Sequence, residues 1–216
     1  MSIRKLILLA ATCALSLLGA TAGGASASTF AHAGTTTGNI LAAGTSVMPR
    51  SSDVFTASFS GLGSVTCASG TGSATVGASG GATITAAGDS VTFTSCTDTI
   101  PVITITGCHL VAPLPTATVT ATSSAGGTVS FTNTFVRCNV AGGTSGCYYS
   151  APTATGTAVN TNAALTYSGV SILHTVPAGG SGDLGSLCGT SGTFGGSFTD
   201  LTSGATSTTV VLNQTA

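Results

Sequence analysis

The stretch from Ser90 to Cys108, SVTFTSCTDTIPVITITGC, constrains the fold more than any other part of the chain. Its first half alternates apolar and hydroxylic side chains up to Cys96, which is the period of a half-buried β-strand. Residues 97–101 predict a turn, and a second strand is predicted over residues 102–106, just before Cys108. Two neighbouring strands that each end near a cysteine predict a sheet stapled by disulfides.

Similar short segments recur along the chain, with Gly and Ser between them. The other predicted strands cover residues 55–59, 64–68, 73–76, 82–86, 116–122, 128–135, 156–160, 165–175, 193–200 and 207–213. No stretch after residue 27 keeps a 3.6-residue period for three turns, so we expect few helices. The sequence predicts one all-β domain over residues 53–216, an antiparallel β-sandwich of immunoglobulin-like or jelly-roll-like type.

Residues 1–27 predict a signal peptide, because a short basic start precedes an apolar run that ends near a small-x-small cleavage site at Ala25-Ser26-Ala27. A second such site, Ala31-His32-Ala33, lies six residues further on. The apolar run is shorter than the roughly 20 residues that span a bilayer. We therefore expect a secreted, extracellular protein with no integral membrane segment after signal removal. Residues 28–52 are expected to form a flexible linker or a loosely attached first strand.

Six cysteines follow residue 27, and an even number in an exported chain predicts three disulfides. They are Cys67, Cys96, Cys108, Cys138, Cys147 and Cys188. Spacing favours Cys138–Cys147 across a hairpin and Cys67–Cys96 around another, which leaves Cys108–Cys188, although the sequence keeps other pairings open. Metal binding is the competing use of cysteine. We expect no metal, because no C-x-x-C pair is present and exported thiols oxidise.

Charged residues are 4% of the chain, where about 25% is usual. Beyond residue 27, two cations, Arg50 and Arg137, stand against five aspartates, which gives a net charge of −3. Nucleic acid is an unsuitable partner for such a chain, since phosphate binding needs clustered Lys and Arg. Few charges are left to block edge-strand pairing, so we expect either an unknown extracellular ligand or self-association.

Catalytic residue types are scarce beyond residue 27, where Glu and Lys are absent and the histidines are His32, His109 and His174. A lone strand histidine is more often structural, and no S-x-x-K or H-E-x-x-H motif occurs in this part. Asp89 and Asp98 flank one predicted strand, where turn capping is the usual role of aspartate. We expect no catalytic residue and no cofactor.

Tyr148 and Tyr149 form an adjacent aromatic pair directly after a predicted hairpin turn. Because neighbouring strand residues point to opposite faces, we expect one of the two to be buried and the other exposed. An exposed tyrosine can stack on a sugar or a peptide, so both are candidate ligand contacts.

Four segments together resemble a broad group of uncharacterised small exported proteins of actinobacteria and their relatives, which are rich in Ser, Thr and Gly and carry six cysteines. The segments are Val65–Cys67, Ser90–Cys96, Cys138–Tyr149 and Cys188–Thr199, the last with the pattern G-T-F-x-x-x-[FY]-T after its cysteine. The resemblance implies export and an all-β fold and carries over no catalytic residue.

These observations predict an exported, non-enzymatic structural or interaction protein of the cell surface or extracellular space. The alternative is an extracellular glycan- or peptide-binding module that uses the Tyr148 hairpin. A hydrolase that uses His109 or His174 comes third.

Overall fold

The computed structural model describes residues 28–32, 41–51, 55–77, 82–84, 91–203 and 209–214. The predicted signal peptide lies outside these residues. The described chain is mostly β-structure, as predicted, and its one described helix is a short 3-10 turn at Gly185–Cys188. The strands are β1 (Ser28–His32), β2 (Ser46–Ser51), β3 (Phe55–Phe59), β4 (Gly63–Gly72), β5 (Ala74–Val76), β6 (Ala82–Ile84), β7 (Val91–Asp98), β8 (Ile105–Leu110), β9 (Thr116–Ser123), β10 (Gly126–Val140), β11 (Gly146–Val159), β12 (Ala164–His174), β13 (Ser191–Ser203) and β14 (Val210–Gln214).

Eight strands close into a barrel. Around the ring, each neighbouring pair is antiparallel: β10 with β11, β11 with β12, β12 with β13, β13 with β3, β3 with β4, β4 with β7, β7 with β8, and β8 with β10 again. This closed main sheet differs from the two facing sheets of the predicted sandwich. Closure gives every ring strand a neighbour on both sides, so the ring itself presents no open edge for pairing with another chain.

The long strands extend past this ring and pair with a second set of strands. β10 pairs with β9 along its first half and with β8 along its second half. In the same way, β13 pairs with β3 and then with β2, and β5 and β6 complete the connection from β2 to β9. The predicted linker region 28–52 therefore contains two strands, β1 and β2. β1 pairs with β14 in a separate two-stranded sheet that packs against β9.

Alternation along the strands separates an apolar interior from a hydroxylic exterior. In β7, Val91 and Phe93 are buried and Thr94 is exposed. Outside, hydroxyl groups bond across neighbouring strands: Ser69 to Thr94 at 2.8 Å, Ser130 to Thr155 at 2.7 Å and Thr166 to Ser197 at 2.8 Å. Such neutral pairs satisfy polar groups on the outer face, which explains how a chain with so little charge can present a wettable surface.

The second predicted strand of the opening stretch begins later than expected. β7 continues to Asp98, and β8 runs from Ile105 and carries Cys108 within it. The Asp98 carboxylate accepts a hydrogen bond from the Ile105 amide, which holds the intervening residues in a loop and leaves Val102 exposed. Turn capping, predicted for Asp89 and Asp98, is confirmed for Asp98, and Asp89 lies outside the described residues.

Three disulfides form, as predicted, but two of the predicted pairings are wrong. Cys67–Cys96 links β4 to β7 as expected, whereas the other bonds are Cys108–Cys138 and Cys147–Cys188. Cys138 does lie opposite Cys147 in the predicted hairpin, but it also lies opposite Cys108 on its other side. The sulfur of Cys138 bonds to Cys108, so Cys147 is left to bond to the loop after β12.

Candidate functional site

The interior of the barrel contains a cavity of about 150 Å³ to which all eight ring strands contribute side chains. Seven of the eight phenylalanines of the chain and two of its three tyrosines line this cavity. They are Phe30, Phe55, Phe59, Phe93, Phe131, Phe194, Phe198, Tyr149 and Tyr167. None of the described residues that line it carries a charge. The few aromatic residues of this chain are therefore concentrated around one interior space.

The aromatic rings fit inside the barrel because glycines on neighbouring strands leave room for them. A Cβ atom at Gly70 of β4 would lie 2.9 Å from the Phe55 ring and 3.0 Å from the Phe93 ring. A Cβ atom at Gly156 of β11 would lie 2.8 Å from the Tyr167 ring. Separations this short are repulsive, so these interior positions admit only glycine while the rings keep their places.

Phe55 lies at the centre of the aromatic wall. Its ring centroid is 4.5 Å from that of Phe93 and 4.8 Å from that of Phe198, both in tilted arrangements. It also lies 6.1 Å from the ring of Phe194, which in turn contacts Tyr167 at 6.2 Å. Tilted and offset ring pairs at these distances are favourable, and they give the wall a defined shape.

Two of the residues that line this apolar space carry buried hydroxyl groups. Tyr167, on β12, is 5% exposed, and Thr134 lies on β10. The Tyr167 hydroxyl and the Thr134 Oγ1 are buried, and neither has a hydrogen-bond partner among the described residues. Burial raises the pKa of Tyr167, so its hydroxyl keeps its proton and can both donate and accept a hydrogen bond. A buried unpaired hydroxyl is unfavourable, but both oxygens are packed away from the cavity surface, which is apolar.

Tyr148 and Tyr149 are both buried, so the expectation that one of them is exposed is wrong. Tyr149 points inward, where its ring stacks on Phe59 at 4.5 Å and lines the cavity. Tyr148 lies under the loop that follows β12; its hydroxyl donates to the Ser181 carbonyl at 2.8 Å, and the Arg137 guanidinium lies 5.5 Å from its ring. Alternation along the strand predicts correctly that the two rings point in opposite directions. It cannot show that a loop distant in sequence covers Tyr148.

His174 and Asp183 form a pair that anchors the same loop. The His174 Nε2 lies 3.0 Å from an Asp183 carboxylate oxygen, and the Gly185 amide donates to the other oxygen at 2.8 Å. The Cys188 sulfur is within 4.8 Å of both side chains, but it is bonded to Cys147 and is not available as a thiolate ligand. Two ligands are then left, which is fewer than the protein-based metal sites normally provide.

The remaining predicted site residues lie apart from the cavity. His109 is half-buried on β8, with its Nδ1 3.4 Å from the side-chain nitrogen of Asn139. Of the other polar candidates named above, the side chains of His32 and Arg50 lie outside the part of the chain that the structure describes. His109, Asp98 and the His174–Asp183 pair are therefore held in separate structural contacts.

No family model, curated protein or solved structure matches this chain. The resemblance to small exported actinobacterial proteins therefore stays a prediction. Among the described residues, no helix is long and apolar enough to cross a membrane.

Alternation along single strands does not single out Tyr167 and Thr134, although both lie in predicted strands. The available signal was a tyrosine at an inward position of an alternating strand, with glycine at the position that faces it on the next strand, since Tyr167 pairs with Gly156. That pairing depends on strand register, which alternation along a single strand does not determine.

Acid should weaken the loop after β12 through Asp183. Burial alone would raise the pKa of Asp183, but hydrogen bonds from His174 and the Gly185 amide, together with the His174 charge, lower it below its ordinary value of 3.8. A carboxyl group whose pKa is lowered by folding stabilises the protein at pH values above its ordinary pKa. This stabilisation is lost as the pH falls through the lower pKa of the folded state. We expect Asp183→Asn to cost more stability at about pH 5 than at about pH 2. Urea unfolding of both proteins measures the difference, and an equal cost at the two pH values would contradict the prediction.

Proposed function

We propose that the protein is an exported, non-enzymatic binding protein that holds a small apolar molecule inside its barrel. The observation that carries this proposal is the cavity of about 150 Å³ among buried aromatic and aliphatic side chains. Export is proposed from the predicted signal peptide at residues 1–27. The three disulfides support it, because such bonds persist in oxidising compartments.

The cavity reduces the stability of the protein, which is the argument for a ligand. Protein interiors normally leave few voids larger than a water molecule. At about 24 cal/mol per Å³, a cavity of 150 Å³ lowers the free energy of unfolding by roughly 4 kcal/mol, a large part of the total of about 5–15 kcal/mol. A bound apolar molecule restores the missing contacts. A binding role therefore accounts for a feature that a purely structural role does not require.

The alternative functions receive less support from the same side chains. A glycan- or peptide-binding surface at the Tyr148 hairpin needs an exposed ring, and both tyrosines there are buried. A hydrolase needs a nucleophile beside its base, whereas the His174 Nε2 lies against the Asp183 carboxylate. The described contacts of these residues serve to hold the loop after β12.

Benzene is a suitable probe, because an apolar cavity of about 150 Å³ accepts a molecule of that size. We expect benzene to raise the melting temperature of the secreted protein, since a ligand that binds only the folded state stabilises it. Ala154 lines the cavity and Thr155, its neighbour on β11, is exposed. Ala154→Leu should abolish the benzene shift by filling the cavity, and Thr155→Leu is the matched control that should retain it. A folded wild-type protein that does not bind benzene would overturn the proposal in favour of a structural role.

A further inference from the structure

We infer that the ligand is a hydrocarbon of one ring, without a hydrogen-bond donor or acceptor, and that the cavity discriminates against a compound of the same shape in which a hydroxyl replaces a methyl group. The inference rests on the proposed binding function and narrows it from apolar molecules in general to one chemical class. Three properties of the cavity lead to it: the chemistry of its surface, the absence of charge among its described lining residues and its volume.

The side chains around the cavity offer no partner to a polar group of a ligand. Tyr167 and Thr134 line the cavity, but their hydroxyl oxygens are packed away from its surface, which is apolar. Tyr149 also lines it, and its hydroxyl donates to the Cys188 carbonyl instead. A hydroxyl, amine or carbonyl group on the ligand would therefore give up its hydrogen bonds to water and gain none from these side chains.

The backbone of the barrel does not supply the missing partner. In a sheet, the N–H and C=O groups bond to the neighbouring strand, while the side chains stand roughly perpendicular to the sheet. Each ring strand has such a neighbour on both sides. Side chains therefore form the surface that a ligand meets, and they present carbon together with the sulfur of cysteines such as Cys67 and Cys138.

Ionised ligands are excluded by the same argument with a larger penalty. No Asp, Arg or His is among the described residues that line the cavity, so no counter-charge faces it. A carboxylate or an ammonium group placed there would lose its hydration without a partner, which is far more costly than burying a hydroxyl.

The volume limits the ligand to one ring. An apolar cavity of about 150 Å³ accepts benzene, and toluene adds one heavy atom to it, whereas a second fused ring adds four. The rings of Phe55 and Phe93 form part of the wall, in a tilted arrangement with their centroids 4.5 Å apart. A ring of the ligand can pack on or against such a wall in the same favourable arrangements.

Water does not compete for this space. A buried water molecule usually makes about three hydrogen bonds, and a cavity that is lined by apolar atoms stays dry. Because the surface of this cavity is apolar, a hydrocarbon that enters it displaces no bound water and gains contacts with the wall.

The first test compares toluene with phenol, which differ by the exchange of a methyl group for a hydroxyl. We expect toluene to bind the purified wild-type protein at least about tenfold more tightly than phenol, because the phenol hydroxyl is buried without a partner. Tyr167→Phe removes a hydroxyl that does not reach the cavity surface, so it should leave the ratio of the two affinities unchanged. Titration calorimetry, or ligand-observed NMR, gives the affinities.

A second test adds a hydroxyl to the wall. Val170 and Val91 line the cavity from β12 and β7, and each is 7% exposed. Val170→Thr and Val91→Thr keep the shape of the side chain and provide a partner for phenol, so the preference for toluene should fall by about fivefold in at least one of them. Val102→Thr, at a position that is 64% exposed and outside the cavity lining, is the matched control and should keep the wild-type preference. Retained toluene binding shows that each variant is folded.

The outcomes separate this inference from the proposed function. If the wild type binds toluene but binds phenol equally well, or binds naphthalene as tightly as toluene, the ligand class is wrong and the binding function stands. A preference for toluene that survives in both wall variants would also overturn the class, because the cavity surface would then not be its cause. If the folded wild type binds neither benzene nor toluene, the proposed function itself fails.

Discussion

Phe55→Ala is expected to destabilise the protein by about 3–5 kcal/mol, the usual cost of removing a buried phenylalanine. Phe55 is 2% exposed and contacts the rings of Phe93, Phe194 and Phe198. Truncation removes these contacts and enlarges a cavity that the barrel cannot collapse around, because its strands are bonded on both sides. Urea or thermal unfolding of the purified protein measures the loss. The same substitution at Phe135, which is only half-buried and is not among the cavity-lining residues, provides the matched control and should cost less.

A double-mutant cycle with Gly70 tests whether the glycine positions exist for the rings. Gly70→Ala alone should be destabilising, since its Cβ atom would lie 2.9 Å from the Phe55 ring. In the Phe55→Ala background the same substitution should cost less, because the added methyl group enters space that the ring has left. The 3.0 Å approach to Phe93 persists in both backgrounds, so some cost should remain. Strictly additive costs would show that Gly70 is present for another reason.

Removing the Cys147–Cys188 bond should lower the free energy of unfolding about as much as Phe55→Ala does. The bond closes a loop of about 40 residues, for which restriction of the unfolded chain predicts roughly 4 kcal/mol. Cys147→Ala/Cys188→Ala is preferable to serine, because both positions are fully buried and a hydroxyl there would need a partner. The loop between these cysteines also covers Tyr148, so its release should expose that ring. Unfolding measurements report the total loss, and hydrogen exchange reports where the loop opens.

The matched control is Cys67→Ala/Cys96→Ala. Its loop is 29 residues long, and loop-closure entropy changes slowly with length, so the two double variants should lose similar stability. They should differ in location: Cys67 and Cys96 lie on strands that remain paired along their length, whereas Cys188 follows a loop that is held by individual hydrogen bonds rather than by a strand ladder. Equal hydrogen exchange in residues 176–190 of both variants would contradict the anchoring role of the Cys147–Cys188 bond.

Peptide mapping of the oxidised wild type, cleaved near Val140, should first recover Cys138 with Cys108 rather than with Cys147.

The cavity and the covering loop use different side chains of this protein. The His174–Asp183 pair, the Tyr148 hydroxyl and the Cys147–Cys188 bond hold the loop after β12 to the end of β12 and the beginning of β11. Tyr149, next to Tyr148 on the same strand, faces the cavity. His174 and Tyr148, which the sequence offered as candidate catalytic and sugar-binding residues, therefore contact this loop.

Local patterns in the sequence determined the all-β class, most strand positions and the number of disulfides. Alternation in Phe55–Phe59 or around Phe93 is a property of one strand, and it can be recognised without knowing what the strand pairs with. The tertiary structure decided how the strands close into a barrel, whether Tyr148 is covered and which cysteine Cys138 bonds to. Those features depend on register between segments far apart in sequence, which no local period encodes. The cavity arises in the same way, because Tyr167 and the glycine opposite it become neighbours only when the barrel closes.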